Sequence, residues 1–174
     1  MILPIVAYGH PVLREPTVEV KPDQPGLQTL IANMWETMYQ KGIGLGLAAP
    51  QVNQSLRLLV LDTQQVMERM TEEEKVESGW QDDPGLKAAI LNPTILSMTG
   101  GEGVEEEGCL SLPKIRVDVM RPLEIRLSFQ DEQFIGIIER LEDLGLSFQL
   151  NEEQVLFRGI ALEGLTFVIT GTHP

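Results

Sequence analysis

Apolar residues recur at helical spacing in one clear stretch of the chain. Leu27, Leu30, Ile31, Met34 and Met38 follow one another at three- and four-residue steps, with Trp35 beside the stripe. That periodicity predicts a core-facing helix over 24–41. Asp23 is placed to cap it, Pro25 to sit in its first turn and Gly42 to stop it. Before it, residues 1–20 read as an extended arm, with a turn at Tyr8-Gly9-His10-Pro11. Beyond it the apolar runs are shorter. Leu56–Asp62 predicts a strand that is apolar on both faces at its centre, and a second strand region runs from Ala88 to Met98. Gly100 and Gly101 then read as a turn. Ile115–Met120 and Leu123–Gln130 predict two more strands, the second with Leu123, Ile125, Leu127 and Phe129 alternating with polar residues. Phe134, Ile137, Ile138 and Leu141 predict a short helix ending at Gly145. Residues 146–150, 155–162 and 165–170 predict strands divided by Asn151-Glu152-Glu153 and Glu163-Gly164. The pattern as a whole predicts an α+β fold, a mainly antiparallel twisted sheet around the 24–41 helix.

Composition narrows the classes. A chain of 174 residues fits a single domain over 1–174 with its own core. No apolar run approaches the roughly 18 residues that cross a bilayer. The start, Met1-Ile2-Leu3-Pro4-Ile5-Val6, has no basic region and is broken by proline, unlike a signal peptide. A net charge of −13 disfavours nucleic-acid partners, because phosphate contacts need a basic surface. Residues 63–85 concentrate Glu68, Glu72, Glu73, Glu74, Glu77, Asp82 and Asp83 against Arg69 and Lys75, which predicts a solvated insertion without chemistry. The single cysteine excludes an internal disulfide and suits a reducing cytoplasm.

That cysteine, Cys109, stands in Glu106-Glu107-Gly108-Cys109-Leu110-Ser111-Leu112-Pro113. It is either a buried filler, the commoner state of a free thiol, or a functional sulfur followed by the N–H groups of Leu110 and Ser111. A second unusual stretch, Gly42-Ile43-Gly44-Leu45-Gly46-Leu47-Ala48-Ala49-Pro50-Gln51, has alternate glycines that let a ligand approach the backbone. It matches the loose G-x-G-x-x-A dinucleotide pattern, but it follows a helix and runs into Pro50, where that pattern follows a strand and opens a helix. It contains no Gly-Lys-Ser/Thr, so it is not a P-loop. Gln51 carries an amide able to donate to an oxygen. His10, before a proline in a turn, reads as structural or solvated.

Together the two stretches resemble the motifs of the peptide deformylases. Gly44-Leu45-Gly46-Leu47-Ala48-Ala49-Pro50-Gln51 matches G-x-G-x-A-A-x-Q, and Glu107-Gly108-Cys109-Leu110-Ser111 matches E-G-C-L-S. Met1–Ile5, Pro11–Arg14 and the Asn33–Met38 segment also look like the family's, so the resemblance covers about residues 1–130. It implies a deformylase-like fold and the family's reaction, removal of the N-formyl group from the N-terminal methionine of nascent proteins. It also implies a divalent metal, Fe2+ or Zn2+, held by the cysteine and the two histidines of an H-E-x-x-H motif. There the metal supplies hydroxide near neutral pH, and the motif's Glu moves the proton. Carried over, Cys109 is the metal ligand, and the Gln51 side chain and the Leu110 N–H are the oxyanion donors. Gly44, Gly46 and Leu47 line the peptide, with Gly46 along its backbone. The implied partners are Met-starting nascent peptides and the ribosome.

The third motif is missing. The only histidines are His10 and His173, so no pair at i and i+4 exists. Leu162-Glu163-Gly164, with Phe167 after it, resembles the family's L-E-G. Counting back from it sets Phe157, Arg158, Gly159, Ile160 and Ala161 where the ligands and the Glu belong. Gly159 and the β-branched Thr166, Val168 and Ile169 also disfavour a helix there. Residues 131–174 therefore read as a divergent or replaced segment, or as the product of a frame disruption. The expectation is a family member that lacks the means to activate water and binds metal weakly or not at all. Two alternatives are a non-catalytic binder of Met-starting peptides and a hydrolase with a rearranged site. The latter would use Cys109, His173 and a carboxylate such as Glu107 or Glu163.

Overall fold

The computed structural model describes residues 1–40, 44–78, 80–82, 84–134 and 155–158. Gly42 and the elements expected over 135–154 and 159–170 lie outside them. The apolar stripe forms helix α1, Leu27–Gln40, with Leu27, Ile31, Met34 and Met38 buried. Its start differs from the expectation. Gly26, at φ +72, supplies the carbonyl that accepts the first helical bond, from the Leu30 N–H at 2.9 Å. Pro25-Gly26 therefore forms a turn before the helix, and Pro25 is not in its first turn.

Among the described residues, five strands make one antiparallel sheet in chain order: β1 (Gly46–Ala48), β2 (Leu58–Asp62), β3 (Lys87–Cys109), β4 (Leu112–Gln130) and β5 (Val155–Arg158). Strand β2 is buried along its whole length because its two faces feed two cores. Leu59 and Leu61 pack with Ala48, Leu86, Ile90, Ile125 and Leu127. Leu58 and Val60 pack on the other face with Met34, Met38, Leu47 and Leu91, under α1. A continuous apolar run is what a strand buried on both faces requires.

The sequence reading divides the long hairpin too finely. Gly100 and Gly101 do not turn the chain. Both take φ +80 inside β3, where Thr99 pairs with Glu124 and Glu102 with Pro122, so they form a bulge. The expected strands 115–120 and 123–130 are likewise one strand, β4. At the far edge, Ile125 pairs with Phe157 and Glu124 with Arg158. Phe157 and Arg158 are thus in extended backbone, as the β-rich pattern of that segment predicts.

The acidic insertion carries two short helices, α2 (Gln64–Met67) and α3 (Glu72–Ser78), and Glu68, Glu72, Glu73, Glu74, Glu77 and Asp82 are exposed. Its ends are clasped: Thr63 N–H donates to the Leu86 carbonyl at 2.8 Å and Leu86 N–H to Thr63 Oγ1 at 2.7 Å. No helix among the described residues is long and apolar enough to cross a membrane.

Candidate functional site

Cys109 ends β3, and its pairing with Leu112 closes the hairpin around the two-residue turn Leu110-Ser111. The N-terminal arm ties this turn to the glycine-rich stretch. Tyr8 N–H donates to the Ser111 carbonyl and Val6 N–H to the Gln51 carbonyl, each at 2.9 Å. The arm's start is itself fixed to α1, where Leu3 N–H donates to the buried Thr37 hydroxyl at 2.8 Å.

Gln51 lies in a 3-10 turn, Ala49–Val52, and is buried. Its Oε1 accepts the Ala48 N–H at 2.9 Å, which fixes the amide's orientation. The Nε2 group then faces Cys109 Sγ at 3.7 Å. The two motifs, 58 residues apart in sequence, meet through this amide and this sulfur. Gly44 reinforces the meeting: a Cβ there would lie 3.0 Å from Met38 Cγ and 3.6 Å from Leu110 Cδ1. A glycine lets the loop fit between the helix and the residue that follows the cysteine. Near Cys109 the Ser111 hydroxyl is buried without a hydrogen-bond partner among the described residues.

Among the described residues, strand β1 is an edge of the sheet. The Asp62 N–H donates to the Leu45 carbonyl at 2.8 Å, and Gly46 lies opposite Leu61. Antiparallel alternation then turns the Gly46 N–H and C=O away from β2. One outward group on either side is already bonded. Ala48 N–H is held by Gln51, and the Gly44 carbonyl accepts Gln65 Nε2 at 2.8 Å. The Leu47 side chain is buried in the core under α1.

Glu107 and His10 are engaged elsewhere. Glu107 is buried, and Arg121 grips both its oxygens through Nε at 2.8 Å and Nη2 at 2.9 Å. His10 is exposed, and its Nδ1 accepts the Val12 N–H at the start of a 3-10 turn, as its position before Pro11 predicts. His173 and Glu163 lie outside the described residues. Among the described residues, no three His, Cys, Asp or Glu side chains converge to hold a metal ion. Among the described residues, the hydrogen-bond partner of Cys109 Sγ is the Gln51 amide.

Sequence reasoning missed two features: Gln65, inside an insertion set aside as solvated surface, and the Glu107–Arg121 pair. Arg121 stands 14 residues after Glu107, on the facing strand of the hairpin and opposite Gly103, so no local pattern marks the pair.

An α+β chain with a glycine-rich edge strand, a glutamine and a hairpin cysteine in contact defines a class that the comparisons identify. The family model for polypeptide deformylase matches residues 2–149, so the match extends past the 1–130 that the motifs mark. A peptide deformylase of Christiangramia forsetii is 41% identical over 134 residues, 77% of this chain and 66% of that protein. One of Flavobacterium johnsoniae is 42% identical over 145 residues, 83% of this chain and 71% of that protein. The chain thus spans about two thirds of the length of these curated relatives. Among solved structures, the peptide deformylase of Legionella pneumophila superposes with a TM-score of 0.69 at 29% identity, covering 98% of this chain and 80% of that one. That of Thermus thermophilus gives 0.65 at 31%, covering 91% and 74%. This chain belongs to the peptide deformylase family.

Proposed function

We propose that this chain is a member of the family that holds the N-terminal end of a Met-starting peptide without hydrolysing its formyl group. The observation that carries the loss of hydrolysis is the histidine inventory. The family's metal needs a cysteine and two histidines one helical turn apart, and the chain's histidines are at 10 and 173. Cys109 is on this reading an inherited ligand whose partners are missing, and no Glu stands beside a histidine pair to move a proton. The reading places the chain in the cytoplasm, which suits its single thiol.

Retained binding is supported by the open edge of β1. A peptide strand laid there gains two backbone hydrogen bonds at Gly46, the usual way an extended peptide joins a sheet edge. The Gln51 amide and the Leu110 N–H are the donors for a peptide carbonyl oxygen near Cys109. Gly44 serves the site through the room it gives the loop. The test is reconstitution with Fe2+ or Zn2+, followed by elemental analysis and turnover of a formyl-methionyl peptide. The expected result is substoichiometric metal and no turnover. One metal per chain with turnover would overturn the proposal, and loss of that turnover in both Cys109→Ser and His173→Ala would assign it to a rearranged site.

A further inference from the structure

The acidic insertion begins with a side chain that reaches the glycine-rich loop. Gln65 Nε2 donates to the Gly44 carbonyl at 2.8 Å and to the Asp62 carbonyl at 3.1 Å. It thereby ties the segment before β1 to the end of β2. Its own position is fixed from three sides. Asp62 Oδ1 accepts the Gln64 N–H at 3.0 Å, and the Thr63–Leu86 clasp closes the insertion. Gly85, at φ +74, approaches so closely that a Cβ would lie 2.8 Å from the Gln64 backbone. The amide that holds Gly44 is therefore mounted on a rigid turn.

We infer that Gln65 is a positioning residue for the peptide-binding edge: by holding the Gly44 carbonyl it fixes the backbone that presents Gly46 and closes one end of that edge. Gln51 closes the other end by holding Ala48 N–H, and the Gly46 N–H and C=O face outward between the two. The inference rests on the peptide-binding reading, and it adds to the motif residues a residue from the insertion. The chemistry required at position 65 is a hydrogen-bond donor of sufficient reach. Gln65→Met keeps the length and removes the donor, Gln65→Glu replaces the donor with a repelling carboxylate, and Gln65→Lys keeps a donor.

Two readouts test this on the full chain. Amide hydrogen exchange at Leu45 and Leu47, whose N–H groups face β2, is expected to quicken in Gln65→Met and Gln65→Glu and to stay near the original rate in Gln65→Lys. Calorimetric titration with a Met-Ala-Ser peptide is expected to show binding weakened roughly two- to tenfold in the first two variants, the worth of one hydrogen bond, and restored in the third. A merely structural role for this side chain would follow bulk and melting temperature, not the presence of a donor. Unchanged exchange and affinity in Gln65→Met would overturn the inference. Failure of the unaltered chain to bind the peptide would sink the binding proposal, and exchange would then still decide whether Gln65 holds the loop.

Discussion

Two ion pairs on the same hairpin show how differently a carboxylate behaves according to burial. Glu106 meets Arg116 at 3.2 Å with both side chains more than half exposed, whereas Glu107 is buried against Arg121. Water already solvates the first pair, so Glu106→Ala is expected to cost under about 1 kcal/mol. Arg121→Ala would strand a buried carboxylate two residues from Cys109 and is expected to cost about 3 kcal/mol. Urea unfolding of the two variants measures the contrast, and equal losses would contradict it. At the same scale the motifs made Cys109, Gln51 and the glycines legible as one site. The geometry then separates them: Gln51 faces the sulfur, Gly46 opens to the edge, and Leu47 serves the core.

Asp62, at the end of β2, joins more elements than any motif residue does. Its carboxylate accepts Tyr39 from α1 and the first N–H of α2, and it lies 3.8 Å from Lys87 at the start of β3. Lys87 in turn sits over the stacked rings of Trp35 and Tyr39. Burial first, and then the bond to Asp62, raises the Tyr39 pKa above its ordinary 10.0. The bond to Tyr39 raises Lys87 above 10.5. Both groups keep protons in the folded state that the unfolded chain loses first. The cluster's stabilisation is therefore complete below pH about 10 and fades as the pH climbs further. Melting temperature is expected to fall more steeply above about pH 10 in the unaltered chain than in Tyr39→Phe; parallel curves would refute the link. Periodicity made α1 and β2 legible because each buries a continuous apolar face. It misjudged the long hairpin because paired glycines look alike in a turn and in a bulge. Only the register on the partner strand, where pairing skips past the two glycines, tells them apart.

At the scale of the molecule, the family fold is retained over the region that builds the peptide edge. The sequence carries no histidine pair at i and i+4, and that inventory, which requires no structure, is what carries the proposed loss of hydrolysis. What it left hidden was the device that holds the edge, because Gln65 acts on Gly44 through a contact between two loops and leaves no local pattern. The account's central claim, capture without hydrolysis, is tested most directly by one NMR titration of a formyl-Met-Ala-Ser peptide into the metal-reconstituted chain. It predicts saturable shifts at the amides of Gly46 and Leu110, with no formate signal accumulating. A formate resonance growing through many turnovers would contradict it.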